Sequence, residues 1–170
     1  QMRLFRASGL THIEFGTESF CDRTLEAYGK HFTFGDVVRA SRLALDEGVY
    51  YAHFLILGGY GDTRENVRET IENSRRMEYT VMFPYAGMRI YPHTRLAELA
   101  AKEGAIGRDD DLMAPSYYIS RDFDLEEVRR AALATGKAWV FPDDPQSALA
   151  DTLRLKRNKK GPLWEYLRKP

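Results

Sequence analysis

The sequence predicts an α/β fold of about three parallel strands with helices packed against them. Three observations predict it. Helices and strands alternate with short connections through the first hundred residues, the pattern of a parallel sheet with right-handed crossovers. Several of the helices stop at a glycine, at Gly9, Gly29, Gly48 and Gly104, the residue that best tolerates the left-handed turn ending a helix. Residues 49–57 (VYYAHFLIL) are nearly continuous in apolar and aromatic side chains, as expected of a strand covered on both faces.

Each element follows from local chemistry. Residues 2–8 read as the last turns of a helix ended by Gly9, and residues 10–16 as a strand with Leu10, His12 and Glu14 on one face and Thr11, Ile13 and Phe15 on the other. Ser19 with Asp22, Thr33 with Asp36 and Asp62 with Glu65 are spaced as capping boxes, each opening a helix. Residues 80–84 and 87–91 read as extended, and Pro92 with Thr94 introduces a helix over 95–103. Beyond Gly104 the alternation stops. An acidic stretch at 108–111 precedes helices near 125–135 and 146–155, a basic run at 156–160, and an apolar tail at 161–167 expected to dock on the domain or on partner structure.

Composition narrows the function. Twenty-five basic residues balance twenty-five acidic ones, so no overall field draws the chain to nucleic acid or an anionic membrane. An RNA contact would have to come from the basic run alone, which is more often simply solvated. No apolar run of about 18 residues occurs, and the start lacks the features of a signal peptide, so the expected location is cytoplasmic. Cys21 is the only cysteine, and the four histidines lack ligand spacing, so no metal site is expected within these residues. A sheet of three parallel strands leaves unpaired backbone at its edges, which predicts missing barrel structure or a homodimer along the exposed edge.

Three junctions place polar groups or glycines where strands end, the position at which parallel α/β folds hold ligands. At the first, Glu18 and Ser19 suit ribose hydroxyls or an ammonium group, and equally suit a helix cap. At the second, Gly58, Gly59 and Gly61 admit close approach of a ligand to backbone amides, and equally a tight turn with none. At the third, Met88, Arg89 and Ile90 run towards His93; Arg89 and His93 are polar in an apolar setting and suit either substrate or a structural ion pair.

In combination, residues 13–19 (IEFGTES), 53–66 (HFLILGGYGDTREN) and 87–104 (GMRIYPHTRLAELAAKEG) resemble the fourth-, fifth- and sixth-strand motifs of the radical S-adenosylmethionine (SAM) superfamily. The last segment, with PSYYIS at 115–120, is similar to the subgroup that carries a cobalamin-binding domain. The resemblance implies a partial (β/α) barrel over residues 1–104, with 105–170 a helical extension. It implies a parent enzyme in which a 4Fe-4S cluster reduces SAM to a 5′-deoxyadenosyl radical, with cobalamin as a further cofactor, the absent N-terminal half of the barrel as partner, and a small-molecule substrate. By the same resemblance Glu18 and Ser19 meet the SAM ribose or amino-acid end, Lys30 its carboxylate, and Gly58 and Gly59 the adenosine. Backbone at Met88, Arg89 and Ile90 flanks the adenine, and His53, beside Phe54, is a candidate for ribose. The cluster-binding cysteine motif is absent, so the fragment alone is expected to be inactive. The alternative is a cluster-less half barrel serving binding or assembly.

Overall fold

The computed structural model describes residues 1–107, 109–142, 159 and 161–170. The sequence-predicted helix at 146–155 and most of the basic run lie outside the described residues. The elements are α1 (Met2–Ala7), β1 (His12–Glu18), α2 (Asp22–Ala27), α3 (Phe34–Asp46), β2 (Tyr50–Leu57), α4 (Arg64–Asn73), β3 (Thr80–Ala86), β4 (Met88–Ile90), α5 (Arg95–Lys102), β5 (Ser116–Tyr118), α6 (Leu125–Ala134) and β6 (Ala138–Trp139). No helix among them is long and apolar enough to cross a membrane.

Four strands form one parallel sheet in the order β1-β2-β3-β6. The sequence led us to expect about three. The fourth, β6, comes from the part after Gly104 that was expected to be helical, which also lays β5 antiparallel along β4. Alternation along the strands divides the sheet into two faces. Leu55, Leu57, Met82 and Trp139 face α4 and α6, packing with Val67, Ile71, Val128 and Ala132 in the larger core. On the opposite face Ala52, Val81 and Ala138 meet Trp164, from a 3₁₀ segment Leu163–Leu167.

That tail docks on the domain itself. The Trp164 indole donates to Glu14 Oε1 at 2.9 Å, His12 Nε2 meets Glu165 Oε2 at 2.6 Å, and the Tyr79 amide donates to the Lys169 carbonyl at 2.7 Å. The bond from His12 holds the Glu165 carboxyl below the usual carboxylate range. The tail therefore covers the half of this face nearest the strand starts and leaves the half nearest the strand ends open.

Of the three sequence-predicted capping boxes, Thr33 with Asp36 forms as such. The other two helices begin one or two residues later. Cys21 occupies the N-cap of α2 without a side-chain bond, and Asp22 instead accepts from the Phe34 amide at 2.6 Å. Thr63, not Asp62, caps α4 through the Asn66 amide, because Asp62 is drawn inward.

Candidate functional site at the strand ends

β1 ends irregularly. Its register against β2 shifts between Gly16 and Glu18, and Glu18 takes a left-handed φ of +68°, a conformation that costs a non-glycine residue about 1–2 kcal/mol. The irregularity turns the Glu18 carboxylate over Gly16, where Oε1 accepts from Lys30 Nζ at 3.1 Å. Both side chains stay partly open, 24% and 30% exposed. Gly16 is exposed as well, and a Cβ on it would meet nothing nearer than Glu18 Oε1 at 3.8 Å. Glu18 and Lys30, each a separate candidate in the sequence, are thus brought together beside open space on the helix-free face.

On the neighbouring strand the Gly58 turn is fastened from within. Asp62, buried, accepts from the Gly58 amide at 2.9 Å, from Thr24 Oγ1 at 2.6 Å and from the Tyr28 hydroxyl at 3.5 Å. Burial pushes the Asp62 carboxyl up, and those three bonds pull it back. Burial also raises the Tyr28 hydroxyl, with Asp62 and Glu18 adding to the effect. Gly58 and Gly59 are required by this packing: a Cβ on Gly58 would fall inside the Phe123 ring, and one on Gly59 on the Tyr28 hydroxyl. The space on the side where a Cβ would stand is filled by protein at both glycines.

Two expected ligand contacts belong to the other face. His53 points to the helices, fully buried among Phe15, Phe20 and Tyr51. Ser41 gives its proton to the Val37 carbonyl, so it accepts from His53 Nε2 at 3.2 Å, and Thr17 donates to Nδ1 at 2.6 Å. Burial pushes this imidazole down to about 3, so it is neutral, doubly bonded and closed to a ribose. Ser19 is likewise buried, its Oγ paired with Thr70 Oγ1 at 2.8 Å and accepting from the Cys21 amide at 3.1 Å. Both are corrected from ligand contacts to supports of the wall.

The residue that does face the open side of β2 is Phe54. Its ring stacks on Phe83 at 5.0 Å and on Tyr85 at 6.1 Å, an aromatic surface that composition alone did not reveal. Strict alternation along 50–57 was the signal that could have found it. At the third junction Ile90 is buried under α5, Arg89 is exposed and lies over the Tyr91 ring at 4.8 Å, and Met88 is half-buried. Cys21 is fully buried, and no group of three or more metal-ligating side chains occurs among the described residues.

No family model matches the chain. Ninety-six residues are 28% identical to an uncharacterized methyltransferase of Pyrococcus horikoshii, covering 54% of this chain and 21% of that protein. Seventy-two residues are 33% identical to the anaerobic magnesium-protoporphyrin IX monomethyl ester cyclase of Rubrivivax gelatinosus, covering 42% and 13%. The chain thus spans about a fifth or less of these curated relatives. Among solved structures it is similar to TsrM, the radical SAM methyltransferase of Kitasatospora setae, with cobalamin and a 4Fe-4S cluster bound: 26% identity, TM-score 0.51, 59% of this chain and 19% of that one. The chain is thus similar to enzymes of the radical SAM superfamily. Within the superfamily it resembles the cobalamin-binding subgroup. A second TsrM structure, with tryptophan substrate and the SAM analog aza-SAM, extends the shared fold to 86% of this chain and 34% of that one, at TM-score 0.61 and 19% identity.

Proposed function

We propose that these residues are the C-terminal part of the catalytic barrel of a radical SAM enzyme, binding the nucleoside of SAM at the ends of β1, β2 and β3 and forming one wall of the substrate cavity. The observation that carries this reading is the Glu18–Lys30 pair held half-open beside exposed Gly16, one strand away from the fastened Gly58 turn.

The chemistry of the donor set fits SAM. An ionised carboxylate accepts from two ribose hydroxyls at once, and Lys30, bonded to Glu18, stands ready for the cofactor's own carboxylate. The Phe54, Phe83 and Tyr85 rings supply the apolar wall, and backbone of Met88, Arg89 and Ile90 flanks the base. His53 and Ser19 act from behind, holding β2 and the α2 start in place. The cluster does not fit this chain: one buried thiol cannot replace several thiolates, so its ligands come from other parts of the whole protein. SAM bound beside such a cluster supplies one-electron chemistry, and this chain contributes binding and orientation. The likeness to TsrM supports cobalamin in the whole protein, and the open edge of β1 is the place where the preceding barrel strand pairs.

Calorimetry on the full-length protein tests the reading. Glu18→Ala is expected to weaken SAM binding by about 1.5–3 kcal/mol, the usual worth of a hydrogen bond to a charged group. The isolated 170-residue chain is expected to bind SAM far more weakly than the full protein and to be inactive. An unchanged affinity in Glu18→Ala would refute the assignment of the site.

A further inference from the structure

Above the Gly58 turn lies a hollow whose lining residues, Met88 apart, the SAM reading does not use. It is bounded by the end of α2, the turn itself, β4 and α5, and is lined by Tyr28, Tyr60, Met88, Leu96, Leu99 and Arg95, with Ala27 at its margin. Its volume is about 320 Å³, at the small end of ligand pockets, which run to roughly 300–1,000 Å³. The walls are set by other packing. Tyr28 is held by the bond to Asp62 and by its close fit over Gly59, and Tyr60 stands edge-on to Tyr118 at 5.5 Å. Leu96 belongs to the small core that fixes α5 against β4.

The charge in this hollow is one-sided. Arg95 is exposed and pairs with no carboxylate among the described residues. No acidic side chain lines the space. A guanidinium presents a planar fork that matches a carboxylate in two bonds, and aromatic rings with aliphatic walls suit a hydrocarbon or aryl group. An ammonium finds no acidic partner there.

We propose that this hollow binds a small apolar acid of about amino-acid size, its ring or hydrocarbon part between Tyr28, Tyr60 and Leu99 and its carboxylate on Arg95. Its carboxylate anchor is Arg95, not the Glu18–Lys30 pair, and its binding does not depend on SAM.

Saturation-transfer NMR on the full-length protein without SAM tests it, with phenylacetate as the probe and phenethylamine, the same ring with the opposite charge, as its counterpart. Saturable binding of phenylacetate and none of phenethylamine is expected. Arg95→Gln, an exposed and fold-neutral change, should weaken phenylacetate at least about tenfold, the loss of one charged hydrogen bond. Leu99→Trp, which fills the hollow, should remove binding, and if it does not fold Arg95→Gln decides alone. Glu18→Ala should leave phenylacetate binding unchanged whatever it does to SAM, so the two sites fail separately. Absent phenylacetate binding, equal binding of phenethylamine, or an unaffected Arg95→Gln would each overturn the proposal.

Discussion

The two faces of the same sheet treat polar side chains in opposite ways. On the helix side Thr17, Ser19, Ser41, His53 and Thr70 are each 3% exposed or less, and every one is bonded to another buried group. On the opposite face, at the strand ends, Glu18 and Lys30 are bonded to each other yet remain a quarter or so exposed. A buried polar group must find a fixed protein partner, since leaving it unpaired costs about 1–3 kcal/mol. A half-open pair keeps access to solvent and can exchange part of its bonding for a ligand. The comparison teaches that a polar residue near a strand end is informative only once its face is known.

The largest test concerns what seals the lower half of the open face. Trp164→Ala removes a buried indole that packs on Ala52, Val81 and Ala138 and donates to Glu14, and is expected to destabilise the fold by about 3–5 kcal/mol in urea unfolding. A loss below 1 kcal/mol would mean that the tail does not hold that face closed. Next in size is the turn that ends β2. Gly58→Ala combines a φ of +74° with a Cβ inside the Phe123 ring, and should cost about 2–4 kcal/mol. On a Phe123→Ala background, where the clash is gone, the same glycine change should cost only about 1–2 kcal/mol of backbone strain relative to Phe123→Ala alone. An equal cost of Gly58→Ala on both backgrounds would contradict the packing explanation of this glycine.

Much of this architecture was legible in advance, because it rests on patterns that local chemistry dictates. The apolar run at 49–57, the glycine stops and the Thr33–Asp36 cap all correspond to elements of the structure. The strands β5 and β6 were not legible. At three and two residues they are too short to show a period, and exist through pairing with β4 and β3. The site divided along the same line. Glu18 and Lys30, twelve positions apart, do meet, because α2 returns the chain to the end of β1. His53, the polar candidate beside Phe54, lies on the opposite face from it, since a one-residue difference in a strand reverses the face. Asp62 was misread as a cap because nothing in the sequence reveals that Thr24 and Gly58 converge on it.

The helix-side layer also predicts a pH dependence. The His53 imidazole sits near 3 when folded, against 6.5 when exposed, so the unfolded chain binds the proton first. The stability contributed by the neutral ring is complete above pH 6.5 and is lost as pH falls towards 3, by up to about 1.4 kcal/mol per pH unit. Comparing urea midpoints of the native chain and His53→Gln between pH 7 and pH 5 isolates this effect. The variant should be less stable at pH 7 and show the shallower acid slope, and parallel slopes would place His53 in a wetter setting than the structure gives it.

The smallest expected effect falls on the pair that carries the proposed function. Lys30→Ala breaks a partly exposed ion pair, and such pairs contribute about 0–1 kcal/mol because solvent screens the charges and both chains lose freedom. Its urea midpoint should therefore shift little, while SAM affinity in the full-length protein falls by a larger factor, since Glu18 loses the cation that orients it. That separation is what a ligand-facing group produces and a structural one does not. A Lys30→Ala protein that unfolds as easily as Gly58→Ala, with SAM binding lost only in proportion, would move the pair to the structural side of the comparison.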